Sequence, residues 1–336
     1  MTLLIIRLSA LGDVAMTVPA IYAVAREYPD WTVKVLTTRF FARIFVGKPD
    51  NVKLLAVDRD KMKGFTGLLR LIRTLKKEHV TCVADFHNVF RSWLIDAYFI
   101  MTGHKVTMVD KDRQNRKKLT RKHETGICAK SFCLRYFETL QRLGFNVDAK
   151  SVLPSKHKTG SGNTQRIGIA PFARYQNKTY PLDKMREVVD ILSGIENTEI
   201  YLFGSKGKEQ TLLEDWAYRH SHVRCMAGTL PIEEEIQFMA TLDVMLTMDS
   251  ANMHLASLAG TPVVSVWGST TPECGFLGWR QERSNCLVAG LPCQPCTISG
   301  SNRCKYGNYL CLTSITPSQI CRHLHSVVTT NKRQKT

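Results

Sequence analysis

Ten short apolar runs, five in each half of the chain, alternate with helical patterns, and this rhythm leaves few folds open. In the first half the runs are TLLIIRL, WTVKVLTT, NVKLLAVD, VTCVADFH and HKVTMVD, with helical stretches such as GFTGLLRLIRTLKKEH and FRSWLIDAYFIMTG between them. The second half repeats the pattern with RIGIAPFA, EIYLFGS, VRCMA, DVMLTMDS and PVVSVWG. Strands that alternate with helices form βαβ units, whose parallel sheets are buried on both faces. Between the halves lies KSVLPSKHKTGSGNTQ, rich in Lys, Ser, Gly and Thr, which reads as a linker. The chain of 336 residues is long enough for two such doubly wound α/β domains, each with its own core.

Composition narrows the function. The chain is 44% hydrophobic and 22% charged, as a soluble globular protein is. No apolar run reaches the ~18–20 residues of a membrane span. Arg7 and Asp13 flank too short an apolar run for a secretory leader, so a cytoplasmic protein is expected, with its eleven cysteines mostly as thiols. Residues 1–165 hold 29 Lys and Arg against 14 Asp and Glu, and the remainder 17 against 15. A field of that kind concentrates an anionic partner near one half, although a merely soluble basic protein has the same excess. Seven basic residues crowd positions 111–122: Lys111, Arg113, Arg116, Lys117, Lys118, Arg121 and Lys122. They read as a solvated run, as a grip on phosphates and carboxylates, or as a contact with an anionic leaflet. No recognisable RNA or DNA module accompanies the charge. No Gly-X-Gly-X-X-Gly follows the first run, which argues against a dinucleotide oxidoreductase.

In open α/β sheets ligands bind beyond the C-terminal ends of the strands, so the residues just after each run matter most. Asp13 follows the first run, where it can cap the first helix. Asp249 and Ser250 follow DVMLTM, where either can cap a helix that starts near Ala251 and stops at Gly260 before Pro262. Ala251, Ala256 and Ala259 are small, and the free N–H groups of a first helical turn suit a diphosphate. His254 adds a donor or is simply buried. Cys293, Cys296, Cys304 and Cys311 form CQPCTISGSNRCKYGNYLC, a zinc-like pattern whose second pair is widely spaced, so free thiols or a disulfide stand beside a structural zinc. No paired carboxylates of Asp-X-Asp type occur at a strand end, and no catalytic metal is expected.

Four stretches together resemble one family. MLTMDSANMHLASLAGTP is similar to the donor-binding signature of the ADP-heptose:lipopolysaccharide heptosyltransferases, which usually reads Asp-Ser/Thr-Gly, two residues, then His-Leu-Ala. RLSALGDVAMTVPA resembles their N-terminal signature. PFARYQNKTYPLDKM resembles their Lys-X-Trp-Pro element through Lys178 and Pro181, and LFGSKGKE their Gly-to-Glu segment, ending at Glu209. The matches fall in the family's order. Two departures stand out: Ala251 replaces Gly, and Thr179-Tyr180 stands where Trp is usual.

The resemblance implies a GT-B fold, two Rossmann-like domains facing a cleft. It implies inverting transfer of a heptose from ADP-heptose, a substrate rather than a cofactor, to an acidic inner-core acceptor on lipid A. The acceptor would bind the first domain, residues 1–155, and the nucleotide sugar the second, residues 165–316. A terminal helix over 317–330 would cross back to the first domain, and the tail TTNKRQKT would be disordered. On this reading Asp13 is the general base and Lys178 stabilises the leaving ADP. Glu209 holds the ribose and Asp249 the sugar, with Ser250, Ala251, Asn252 and His254 completing the donor site. Arg113, Arg116, Lys117, Lys118, Arg121 and Lys122 take the acceptor. The protein would work as a monomer at the cytoplasmic face of the inner membrane, without nucleic acid. A related nucleotide-sugar enzyme using another sugar remains the alternative, and a non-catalytic nucleic-acid-binding protein is a weaker one.

Overall fold

The computed structural model describes residues 1–58, 60, 64–124, 126–151 and 164–333. It divides into two compact units, each built on a parallel sheet. Linker residues 152–163 lie outside the described residues.

In the first unit the strands are β1 (Thr2–Ile6), β2 (Thr32–Thr38), β3 (Val52–Val57), β4 (Cys82–Asp85) and β5 (Lys105–Met108). Their order across the sheet is β3-β2-β1-β4-β5, with every pairing parallel. All five residues of β1 are buried, as a central strand covered on both faces requires. Leu4 and Ile6 join a core cluster with Leu68, Leu71 and Leu75 of α3 (Gly64–Lys76) and with Ile95 and Phe99 of α4 (Phe90–Met101). Alternation along the strand turns Leu3 and Ile5 to the opposite face. There α1 (Leu11–Glu27) packs against α6 (Phe132–Leu143). The one-turn α2 (Arg39–Ala42) follows β2, and α5 (Arg113–Lys117) opens the basic segment.

The second unit holds β6 (Gln165–Ala170), β7 (Thr198–Leu202), β8 (Val223–Cys225), β9 (Val244–Met248), β10 (Val263–Trp267) and β11 (Cys286–Val288). Their order is β11-β10-β9-β6-β7-β8, again all parallel. The connecting helices are α7 (Leu182–Ser193), α8 (Lys208–Tyr218), α9 (Ile232–Met239) and α10 (Ala251–Leu258), followed by the short α11 (Leu310–Thr313) and the terminal α12 (Pro317–Arg333). The ten apolar runs are thus ten strands. Among the described residues the edge strand β11 adds an eleventh, which the reading of runs passed over.

Three expectations about the domains need correction. Residues 112–131 pack with the second unit, not with the first. Leu119 is buried, the Ala129 N–H donates to the Glu273 carbonyl at 2.8 Å, and the Arg116 guanidinium lies 5.2 Å from the centre of the Phe276 ring. Counted by unit, Lys and Arg number 20 against 12 acidic residues in the first and 26 against 17 in the second. The charge asymmetry between linear halves is therefore no asymmetry between units. Second, α12, expected against the first domain, packs on α7, β9 and β10 of its own unit. Its apolar stripe, Ile320, Leu324, Val327 and Val328, joins the core of the second unit. Third, α12 runs on to Arg333, so residues 329–333 of the tail are helical; 334–336 lie outside the described residues.

Candidate active site

Each sheet reverses its strand order beside the unit's first strand. Loops leave that point in opposite directions and open a crevice at the strand ends. In the second unit the reversal lies between β6 and β9, and the residues singled out from sequence meet there. The loop after β6 closes in a 3-10 turn, Gln176–Lys178. Lys178 Nζ lies 2.7 Å from Asp249 Oδ2 at the end of β9, and the two side chains are only 13% and 5% exposed. Thr270 Oγ1 donates to the same oxygen at 2.6 Å.

The turn is braced from behind. The Asn177 carbonyl accepts the Ser269 N–H at 2.9 Å. The Asn177 amide exchanges hydrogen bonds with Ser301, Oδ1 accepting its N–H at 2.8 Å and Nδ2 donating to its Oγ at 2.9 Å. Gly268 is needed at the end of β10 because any Cβ there would run into the Asn177 carbonyl. Where the family has Trp, Thr179 bonds back to the Tyr175 carbonyl at 3.1 Å. Tyr180 is fully buried, with its hydroxyl donating to the Ile315 carbonyl at 2.7 Å. Both replacements serve the fold of this loop.

Ser250 is the N-cap residue of α10, with extended backbone, but its side chain makes no capping bond. Its buried Oγ has no hydrogen-bond partner among the described residues. Ala251 and Asn252 open the helix half-buried, and His254 is buried in its second turn. Gly260, at φ +76°, ends it, as the spacing predicts. Glu209 sits in the first turn of α8, at the C-terminal end of β7, where Oε2 accepts the Ser205 N–H at 2.7 Å.

In the first unit the reversal lies between β1 and β4. Asp13 is not the N-cap of α1: Ala10 holds that position, and Asp13, at N3, accepts the Ala10 N–H at 3.2 Å. Arg7 Nη2 lies 2.8 Å from Asp13 Oδ2, with side chains 7% and 30% exposed. Arg7 Nη1 donates to the Phe86 carbonyl at 2.7 Å. Burial opposes a charge on Arg7, but Asp13, with smaller contributions from Tyr136 and Asp85, outweighs it and the pKa rises. His87 Nε2 lies 3.2 Å from Ser9 Oγ. Burial first, then the positive charges of Arg7 and Lys111, lower the His87 pKa to about 3, so the imidazole is neutral. Sequence reasoning passed over Arg7, Ser9, Asp85 and His87. The signal was present, because VTCVADFH ends in polar residues at a strand mouth just as the β9 run does.

Of the basic residues, Arg113, Lys117, Lys118, Arg121 and Lys122 are exposed, and Arg116 stacks on Phe276 within the second unit. Lys122 has a loose ion pair with Glu124 at 3.6 Å. Cys293, Cys296, Cys304 and Cys311 are free and line one cavity of about 390 Å³, whose wall includes Asn177 and Ser269. Burial pushes the Cys311 thiol up to about 12, helped by the other three cysteines. At Cys304 a small burial effect is outweighed by backbone N–H groups of residues 306–309, which lower its pKa. Among the described residues, no three His, Cys, Asp or Glu side chains are arranged to hold a metal ion. Among the described residues, too, no helix is long and apolar enough to cross a membrane.

Known proteins share this fold. The chain is 23% identical over 291 residues to lipopolysaccharide heptosyltransferase 1 of Campylobacter coli, covering 80% of this chain and 84% of that one. The structure of Escherichia coli ADP-heptose LPS heptosyltransferase II superposes with a TM-score of 0.69 at 17% identity, over 99% of this chain and 100% of that one. A glycosyl transferase family 9 protein from Veillonella parvula superposes with a TM-score of 0.75 at 16% identity, over 98% and 97%. The family model described as glycosyltransferase family 9 (heptosyltransferase) matches residues 68–307, well over half of the sequence. The chain belongs to glycosyltransferase family 9, the heptosyltransferase family.

Proposed function

We propose that this protein transfers a heptose from ADP-heptose to an acidic, lipid A-linked inner-core acceptor, with inversion at the anomeric carbon. The observation that carries the reading is the buried Lys178–Asp249 pair at the strand reversal of the second sheet, beside the uncapped N-terminus of α10. There the ADP diphosphate receives N–H groups of the first turn and the charge of Lys178, while Asp249 and Glu209 accept hydroxyls of the sugar and the ribose. Ser250, Asn252 and His254 complete that site.

In the reaction the acceptor hydroxyl oxygen attacks the anomeric carbon from the face opposite the diphosphate. The carbon–oxygen bond to the β-phosphate breaks and ADP leaves with the electron pair. The hydroxyl proton passes to the Asp13 carboxylate, which later loses it to water. Arg7 holds that carboxylate by one oxygen. The negative charge developing on the diphosphate falls to Lys178 and the α10 N-terminus, and the reading asks for no cofactor beyond these groups. The basic segment 113–122 takes the acceptor's phosphates and carboxylates at the cytoplasmic face of the membrane, the protein acting as a monomer.

Thermal denaturation with ADP-, UDP- and GDP-sugars tests the donor. A ligand at 100 times its Kd stabilises by about 2.7 kcal/mol, enough to shift Tm visibly. ADP species alone should do so, and stabilisation by UDP species alone would overturn the assignment. Asp13→Asn should lose roughly 100-fold or more in turnover while still binding ADP. Near-normal turnover would reduce Asp13 to its place in the helix start.

A further inference from the structure

Two turns face each other at the strand reversal of the first sheet, and the one after β4 is cross-braced on every side. Asp85, fully buried, accepts the His87 N–H at 2.7 Å and the Asn88 N–H at 2.9 and 3.0 Å through its two oxygens. Asn88, in the left-handed region at φ +49°, donates its amide to the Val109 carbonyl at 2.7 Å and accepts the Trp93 indole N–H at 2.7 Å. Asp96, from α4, is also fully buried and has Asp85 as its neighbour. A charged Asp96 would find no donor among the described residues; a neutral one has Asp85 as acceptor. Burial, then the Asp85 charge, push Asp96 well above the carboxylate range, and it stays a neutral acid. A neutral Asp96 spares the buried turn a second negative charge beside Asp85.

What this scaffold presents is the His87 ring, 9% exposed. A neutral imidazole has one N–H and one lone pair. Nδ1 is buried with no partner among the described residues, so the tautomer with the proton on Nε2 strands a lone pair rather than a donor. Nε2–H then donates to Ser9 Oγ, and the exposed Ser9 hydroxyl keeps its own proton for an outside acceptor. Ser9 adjoins Ala10, whose N–H binds the Asp13 carboxylate. Arg7 makes the second tie between the same turns, from Phe86 to Asp13.

We infer that His87 is a positioning residue for the transfer: through Ser9 it fixes the turn after β1, and so holds the Asp13 carboxylate where the acceptor's proton must go. The inference rests on the reading of Asp13 as the base. A misplacement of about 1 Å in such a group costs on the order of 100-fold.

The test measures kcat and both KM values with ADP-heptose and lipid A-linked core acceptor, in wild-type and Asp13→Asn backgrounds. His87→Ala should lower kcat roughly 10- to 100-fold with both KM values little changed. Ser9→Ala should do about the same, and the double variant should be no slower than the slower single one. His87→Gln, which supplies a neutral N–H, should recover most of the loss. In the Asp13→Asn background neither substitution should cost anything further. Losses that add between Ser9 and His87, that persist without the Asp13 carboxylate, or that Gln does not repair would overturn the proposal. Should His87→Ala fail to fold, Ser9→Ala carries the test, because Ser9 is exposed. A fully active Asp13→Asn protein would instead bring down the base assignment itself. An inactive one beside unimpaired Ser9 and His87 variants would bring down the positioning role alone.

Discussion

Lys178 and Asp249 illustrate how much a single residue carries here. Both charges are largely withdrawn from water, and their attraction survives because Thr270 satisfies the same carboxylate oxygen. Removing one partner leaves the other buried and unpaired, at a cost of about 3–5 kcal/mol. Lys178→Met should therefore lower Tm clearly and weaken ADP-sugar binding in calorimetry, and adding Asp249→Asn should restore part of the stability but none of the binding. A pH titration reaches a different residue. Asp96 has a folded pKa raised to about 9 from 3.8, so the folded state binds more protons than the unfolded one between those values. Stability from this group is thus present at low pH and lost as pH rises towards 9. His87 has the opposite sign: its pKa falls from 6.5 to about 3, so its neutral burial costs stability as pH drops below 6.5. Half-buried Glu235, pushed up to about 7 by desolvation, adds to the Asp96 slope only below that pH. Between pH 7 and 8, before the buried thiols add a slope of the same sign, the Asp96 slope should dominate, contributing a fall in unfolding free energy of at most about 1.4 kcal/mol per pH unit. Asp96→Asn should flatten it, and an unchanged slope would refute the neutral acid.

At the scale of elements, position after a strand decides function. The loops after β1 and β6 are irregular, yet each is pinned by the end of another strand: Arg7 and His87 tie the loops of β1 and β4 together across the reversal, and Asn177 meets the end of β10, two strands away. Gly268 is where this pinning leaves no room. A methyl group there meets backbone, which cannot swing aside as a flexible side chain would. Gly268→Ala should push the Asn177 turn away, lower Tm and weaken ADP binding together, whereas an ADP affinity equal to wild type would show that the turn tolerates the shift. The cysteine loop acts on the same turn through Ser301, a role that its Cys spacing does not suggest.

For the whole molecule, the units divide the charge differently from the halves of the sequence. The segment after β5 leaves the first unit, packs its Leu119 and Arg116 into the second, and returns at α6. The exposed Lys117, Lys118 and Arg121 are then carried by the unit that holds Lys178 and Asp249. Exposed charges are screened beyond ~8 Å at physiological salt, so their pull on an anionic acceptor is strongest at low ionic strength. Replacing these three by Ser should raise the acceptor KM and flatten its salt dependence while the donor KM stays put. A shift in the donor constant alone would assign the segment to the nucleotide sugar instead.

The two parallel sheets are legible in the chain alone, because their strands are short apolar runs buried on both faces and read without any long-range information. The same rhythm places Asp13 and Asp249 just after strands, since order along the chain suffices for that, whereas Lys178 and Glu209 stand out only through the family resemblance. Which strand ends adjoin is settled in three dimensions. Strand order across a sheet brings Lys178 to Asp249 and Arg7 and His87 to the turn of Asp13, and no local pattern encodes that order. Tertiary structure alone also decided that Asp13 stands at N3 rather than at the N-cap, and that residues 112–131 belong with the second unit. Both depend on backbone hydrogen bonds and burial against residues more than a hundred positions away or on the set of a single turn, where charge and composition along the chain carry no weight.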